Sequence, residues 1–119
     1  MNPKTTERPW GSFTVFTNNE PSTVKILHIK KGEEFSLQYH THRQEFWKII
    51  KGNPQIIIDH KVENPKEGDE FIIEPQMYHR ISAPKDDVTV LEISKGFFDE
   101  DDIVRIEDKY NRLNGKKDF

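Results

Sequence analysis

The sequence predicts an all-β sandwich or barrel, and three observations carry that prediction. Short runs rich in β-branched and aromatic residues recur along the chain, separated by clusters of Gly, Pro, Asn and Asp. Few stretches sustain a helical period. A length of 119 residues suffices for one domain with a real core and not for a second of ordinary size, so residues 1–119 are read as a single domain.

The strands follow in order along the chain. Residues 12–17 alternate Phe13, Val15 and their polar neighbours, and residues 23–30 place Lys25, Leu27 and Ile29 on one face. Residues 36–42 put Ser36, Gln38, His40 and His42 in one row, and residues 46–51 continue the alternation that sets Glu45, Trp47 and Ile49 together. Further strands are expected at 55–59, 70–73, 79–82 and 89–94. Turn chemistry punctuates them at Asn18-Asn19-Glu20-Pro21, Lys31-Gly32-Glu33, Gly52-Asn53-Pro54, Asn64 to Asp69 and Pro84-Lys85-Asp86-Asp87. The highly charged stretch 99–112 is expected to hold a short helix anchored by Ile103, Val104 and Ile106, and the tail at 115–119 to fray.

Hydrophobic residues make up 33% of the chain and charged ones another 33%, so a compact core under a heavily solvated surface is implied. Eighteen basic and 21 acidic residues are interspersed and give a formal net charge of -3, which argues against a nucleic-acid partner. There is no apolar run long enough to span a membrane, and the polar start does not resemble a signal peptide, so the expected location is the cytoplasm. With no cysteine in the chain, any metal must use nitrogen and oxygen ligands.

Such ligands are at hand. His40 and His42 share a strand face, a tight turn at Arg43-Gln44 can fold Glu45 back toward them, and a later strand supplies His79. Three imidazoles and one carboxylate suit one divalent ion, with Zn, Mn, Fe, Co and Ni all compatible. His28 has no carboxylate nearby and His60 lies beside a turn, so both are read as structural or exposed.

The ordered set Gly32, His40, His42, Glu45, Gly52, then Gly68, Asp69, Pro75 and His79 resembles the two signature motifs of the cupin superfamily. That resemblance implies a jelly-roll β-barrel with His40, His42, Glu45 and His79 as metal ligands, zinc being the first choice of ion. A finer match covers nearly the whole chain. Glu7 to Phe13, Val24-Lys25, Leu37 to Trp47, His79-Arg80 and Glu100 to Tyr110 are similar to the cupin domain of type II mannose-6-phosphate isomerases. In that family the domain usually follows a pyrophosphorylase domain whose Gly-rich signature is missing here. The pattern departs at Thr41, which breaks a run of histidines, at Phe46 in place of a histidine, at Gln76 in place of a glycine, and at Ala83 in place of an asparagine.

The resemblance implies an aldose-ketose isomerase interconverting mannose 6-phosphate and fructose 6-phosphate. Such a reaction needs a Lewis acid, charge stabilisation of an enediolate and a phosphate anchor. Arg43 matches the family's active-site arginine and is the first catalytic candidate; Lys25, Arg80, Trp47 and Arg105 are candidates for binding the sugar phosphate. Glu92 and Glu74 are read as exposed carboxylates, and no base is assigned. An iron-dependent oxidative cupin and a non-catalytic sugar-phosphate-binding module stand as alternatives. A small barrel must cover its edge strands, which predicts a homodimer.

Overall fold

Alternation along the strands decides which side chains face the interior, and the strands do what the pattern asks. The computed structural model describes residues 2–96, 98–99 and 101–110. In it the chain runs through β1 (Lys4–Arg8), β2 (Gly11–Val15), β3 (Ser22–Ile29), β4 (Leu37–Tyr39), β5 (Gln44–Lys51), β6 (Gln55–Ile58), β7 (Lys61–Glu63), β8 (Glu70–Ile73), β9 (His79–Ser82), β10 (Val88–Lys95) and β11 (Val104–Glu107). The described residues contain no helix, and so none long and apolar enough to cross a membrane.

All pairings are antiparallel. One sheet has the order β3-β10-β5-β8, a second has β11-β4-β9-β6-β7, and β1 and β2 form a separate hairpin. This is an all-β cupin-type fold. Ile29, Trp47, Ile49, Ile56, Ile73, Ile81, Val88 and Val90 form one buried cluster drawn from strands of both large sheets. Burying a side chain of this size contributes about 1.5–3 kcal/mol relative to exposure.

Two glycines and one non-glycine show where backbone geometry is fixed. Gly52 closes β5 at φ +94°, and an added Cβ would lie 2.3 Å from the carbonyl oxygen of Asp87. Only glycine fits that turn without a shift. Gly68 also adopts a positive φ, of 91°. Gln76 is held at φ 67° in the turn before β9, where its N–H donates to the carbonyl of His40 at 2.6 Å. This is the position at which the resembled family carries glycine.

The expected strands at 70–73 and 79–82 match β8 and β9, while others differ at their ends. The run 36–42 shortens to β4, ending at Tyr39, and β1 and β7 arise from polar sequences with weak strand signals. The expected C-terminal helix is not there. Val104–Glu107 forms β11 and pairs with β4, since Val104-Arg105-Ile106-Glu107 also alternates and an open strand edge outweighs local propensity. Residues 100, 111 and 112 of that expected helix, and the tail at 115–119, lie outside the described residues.

Candidate metal centre

The site grows from a buried row on β4 and its continuation. Ser36, Gln38 and His40 lie in one line as alternation requires: Ser36 Oγ donates to Gln38 Oε1 at 2.6 Å, and Gln38 Nε2 lies 3.4 Å from His40 Nε2. On β5, Glu45 and Trp47 face the same interior, and Trp47 Nε1 donates to Glu45 Oε1 at 3.3 Å. His79 enters from the start of β9, which pairs with Gln38 of β4.

His40, Glu45 and His79 each bring one ligand atom to within 4.8 Å of the others, and all three are buried. His40 Nε2 is 3.4 Å from Glu45 Oε2, and His79 Nε2 is 3.8 Å from Glu45 Oε1. The opposite ring nitrogens face backbone carbonyls, His40 Nδ1 that of Asp102 and His79 Nδ1 that of Met77, the latter at 2.9 Å. Carbonyls only accept, so both Nδ1 atoms carry the proton and both Nε2 atoms are bare. This is how a metal-binding histidine is oriented by its surroundings. Burial pulls His40 down to about 3 and lowers His79 as well, so both rings are neutral at neutral pH. Burial pushes the Glu45 carboxyl upward, against the pull of Arg43.

His79 Nε2 is buried without a hydrogen-bond partner, while Glu45 Oε2 is held by an ion pair with Arg43. An acceptor left unpaired in a dry interior is costly. A divalent cation bound by the trio would satisfy His79 Nε2 and take the Glu45 carboxylate as a further ligand, so these residues fit such an ion. Arg43 is buried beside them, its Nε 3.0 Å from Glu45 Oε2. One terminal nitrogen lies 2.9 and 2.8 Å from the two ring nitrogens of His40, which places it over the ring face. The ring of Phe98 covers the guanidinium at 4.4 Å.

His42, expected as a fourth ligand, does not join the trio in this structure. β4 ends at Tyr39, and the chain bends through Thr41 and His42 with both side chains exposed. The Asp102 carboxylate holds that bend by accepting from Thr41 N–H at 2.7 Å and His42 N–H at 3.0 Å. The strand face that would have aligned His42 with His40 therefore stops one residue before His40. His28 and His60 are exposed.

The candidate substrate residues divide. Lys25 and Arg43 line a cavity of about 460 Å³ together with Leu27, Ile29, Phe35, Gln38, Glu45, Glu92 and Phe98. Arg80 is not in its lining: alternation turns it away from His79, and its guanidinium donates to Phe35 O at 2.9 Å and Glu107 Oε1 at 2.9 Å. It ties β9 to the C-terminal strand. Trp47 is wholly buried beneath the trio, edge-on to His79 with centroids 5.4 Å apart, so it supports the site and does not line the cavity. Arg105 is buried opposite Gln38 in the β11-β4 pairing and is also outside the cavity lining. Phe46 packs on Phe16 on the other side of β5, with centroids 5.2 Å apart, so the substitution at this position lies away from the trio.

Glu92 is the residue that the sequence reading placed wrongly. It is only 7% exposed and lines the cavity. Burial, then repulsion from Glu45, raises its carboxyl to about 7. Its position two and four residues from Val90 and Val88 on one strand face was the signal that could have found it.

A family model described as "Mannose-6-phosphate isomerase C-terminal" matches residues 2–108. The chain belongs to this family. "Mannose-1-phosphate guanylyltransferase ManC" of Salmonella typhimurium is 33% identical over 108 residues, which is 89% of this chain and 22% of that protein. "Alginate biosynthesis protein AlgA" of Pseudomonas aeruginosa is 36% identical over 107 residues, covering 88% of this chain and 22% of AlgA. The chain thus spans about a fifth of the length of these relatives. Among solved structures, a cupin 2 conserved barrel domain protein from Rhodopseudomonas palustris superposes with a TM-score of 0.63 at 20% identity, covering 71% of this chain and 59% of that one. At that identity the likeness speaks for the fold alone.

These relatives overturn the expectation of a mannose-6-phosphate isomerase. The proteins that align over almost all of this family member are named for guanylyl transfer, a transferase chemistry, and for alginate biosynthesis. The word isomerase belongs to the description of the family and does not carry that activity to this chain.

Proposed function

We propose that this chain is a metal-centred binding domain for a mannose phosphate, serving guanylyl transfer. The observation that carries the reading is a buried, partly unsatisfied His40, Glu45 and His79 trio beside a cavity that also presents Lys25 and Arg43. Two imidazole nitrogens and a carboxylate oxygen would hold one divalent ion, zinc first, with manganese, iron, cobalt or nickel compatible. When bound, such an ion offers a Lewis-acid contact to ligand oxygens.

The chain's own residues supply the rest. Lys25 and Arg43 offer positive charge to a phosphate, and the apolar wall of Leu27, Ile29 and Phe35 suits the C–H surface of a sugar ring. Phe98 lies 4.3 Å from Lys25 Nζ and 4.4 Å from the Arg43 guanidinium, steering both cations. The choice of mannose 1-phosphate as ligand is supported by the names of the relatives.

Titration calorimetry of mannose 1-phosphate into zinc-loaded and chelator-stripped protein tests the reading. Saturable binding that weakens at least about tenfold on stripping is expected. No binding with any of the five metals would sink it.

A further inference from the structure

Glu92 stands outside the metal trio yet is built into the same cavity. It sits at the centre of the four-stranded sheet, opposite Lys25 of β3 on one side and Trp47 of β5 on the other. Glu45 is paired with Ser94, one step along the same face, so Glu45, Glu92 and Lys25 stand on three adjacent strands lining the cavity, Glu45 diagonal to Glu92 and Lys25 directly opposite it. A buried carboxyl in a strand otherwise carrying Val88 and Val90 on that face has no role in the core, where a valine would pack at less cost.

Charge decides what this carboxyl can meet. A carboxyl such as Glu92 can accept hydrogen bonds from neutral hydroxyls, which the bare oxygens of a phosphate cannot supply. Lys25 and Arg43 are the cavity's buried or half-buried cations and attract the phosphate instead. Lys25 lies directly across the strand pair from Glu92, and Arg43 Nε lies 3.0 Å from Glu45 Oε2, so the cavity offers hydrogen-bond acceptors and cations side by side.

We propose that Glu92 is the sugar-recognising residue of this cavity, accepting hydrogen bonds from ring hydroxyls while Lys25 and Arg43 take the phosphate. The proposal rests on the reading of this chain as a mannose-phosphate-binding domain. It adds a residue that sets specificity, since a ligand without hydroxyls offers this carboxyl no donor.

The test compares two probes, mannose 1-phosphate and orthophosphate, by calorimetry on zinc-loaded wild type, Glu92→Gln, Glu92→Asp and Lys25→Met. The wild type binds the sugar phosphate more tightly than orthophosphate, and the ratio reports the sugar's share. Glu92→Gln and Glu92→Asp are expected to shrink that ratio by roughly tenfold or more, with orthophosphate binding unchanged or tighter. Lys25→Met is expected to weaken both probes alike. Should either Glu92 variant fail to fold, as judged by its melting curve, the other carries the test. An unchanged ratio in a folded Glu92 variant, or equal weakening of both probes, overturns the proposal while leaving the binding reading intact. If the wild type binds orthophosphate but gains nothing from the sugar, the proposal and the mannose-phosphate reading both fall.

Discussion

Replacing Glu92 with glutamine should change how stability depends on pH, in a direction fixed by burial. In the folded protein the Glu92 carboxyl titrates near 7, against 4.5 ordinarily, because burial and the neighbouring Glu45 disfavour its charge. Between those two values the folded state keeps a proton that the unfolded chain has released. The contribution is therefore fully present below pH 4.5 and lost as pH rises through about 7. At about 1.4 kcal/mol per pH unit, the loss is roughly 3 kcal/mol, or roughly 10 °C in melting temperature for a domain of this size. Glutamine has nearly the same shape and does not titrate. Urea unfolding of both metal-free proteins from pH 4.5 to 8 should show the wild type losing ground to Glu92→Gln by this amount, with the gap constant above about pH 7.5. His40, pulled down to about 3, and the lowered His79 pull the opposite way, favouring the folded state as pH rises above their folded values. The His40 contribution does not depend on Glu92 and drops out of the difference, whereas His79 also feels the Glu92 charge and adds a smaller term to it. Parallel stability curves would refute the reasoning, because they would mean that Glu92 is solvated as an ordinary surface carboxylate.

Three further substitutions probe the scaffold around the site. Gly52→Ala must place its Cβ 2.3 Å from Asp87 O at φ +94°, and a loss of about 1–3 kcal/mol or more in urea unfolding is expected. Gln76→Gly relieves a left-handed glutamine at φ 67° and should stabilise by about 0.5–1 kcal/mol in the same assay. Asp102→Ala removes the carboxylate that holds Thr41 N–H and His42 N–H. Zinc affinity measured against a competing chelator should fall about 10-fold or more as the His40 support loosens.

How much of this was legible in the sequence depended on how local each determinant is. The Ser36, Gln38 and His40 row follows from alternation alone, and so does the shared face of Glu45 and Trp47. His42 looked equivalent to His40, yet its place is set by Asp102, 60 residues away in the chain, whose carboxylate bends the backbone just after β4. No local pattern announces such a contact. β11 was hidden for a related reason: its charged sequence forms a strand through pairing with β4, and pairing is a tertiary property. Glu92 was a misjudged weight, since its apolar face-mates outvoted the habit of reading a lone glutamate as solvated. Phe46 was the reverse case. It neighbours Glu45 in sequence and lies across the sheet from it in space, so its departure from the resembled family touches the packing against Phe16 and not the trio.

The claim at the centre is that three residues, and not four, form the metal centre. Zinc affinity by competition with a chelator, measured for wild type, His40→Ala, Glu45→Gln, His79→Ala and His42→Ala, addresses it directly. A loss of about 100-fold or more is expected for each change in the trio, with His42→Ala within about threefold of wild type, since His42 is exposed and turned out of the site. Equal losses for His42→Ala and His79→Ala, or unaltered binding in all four variants, would contradict the account.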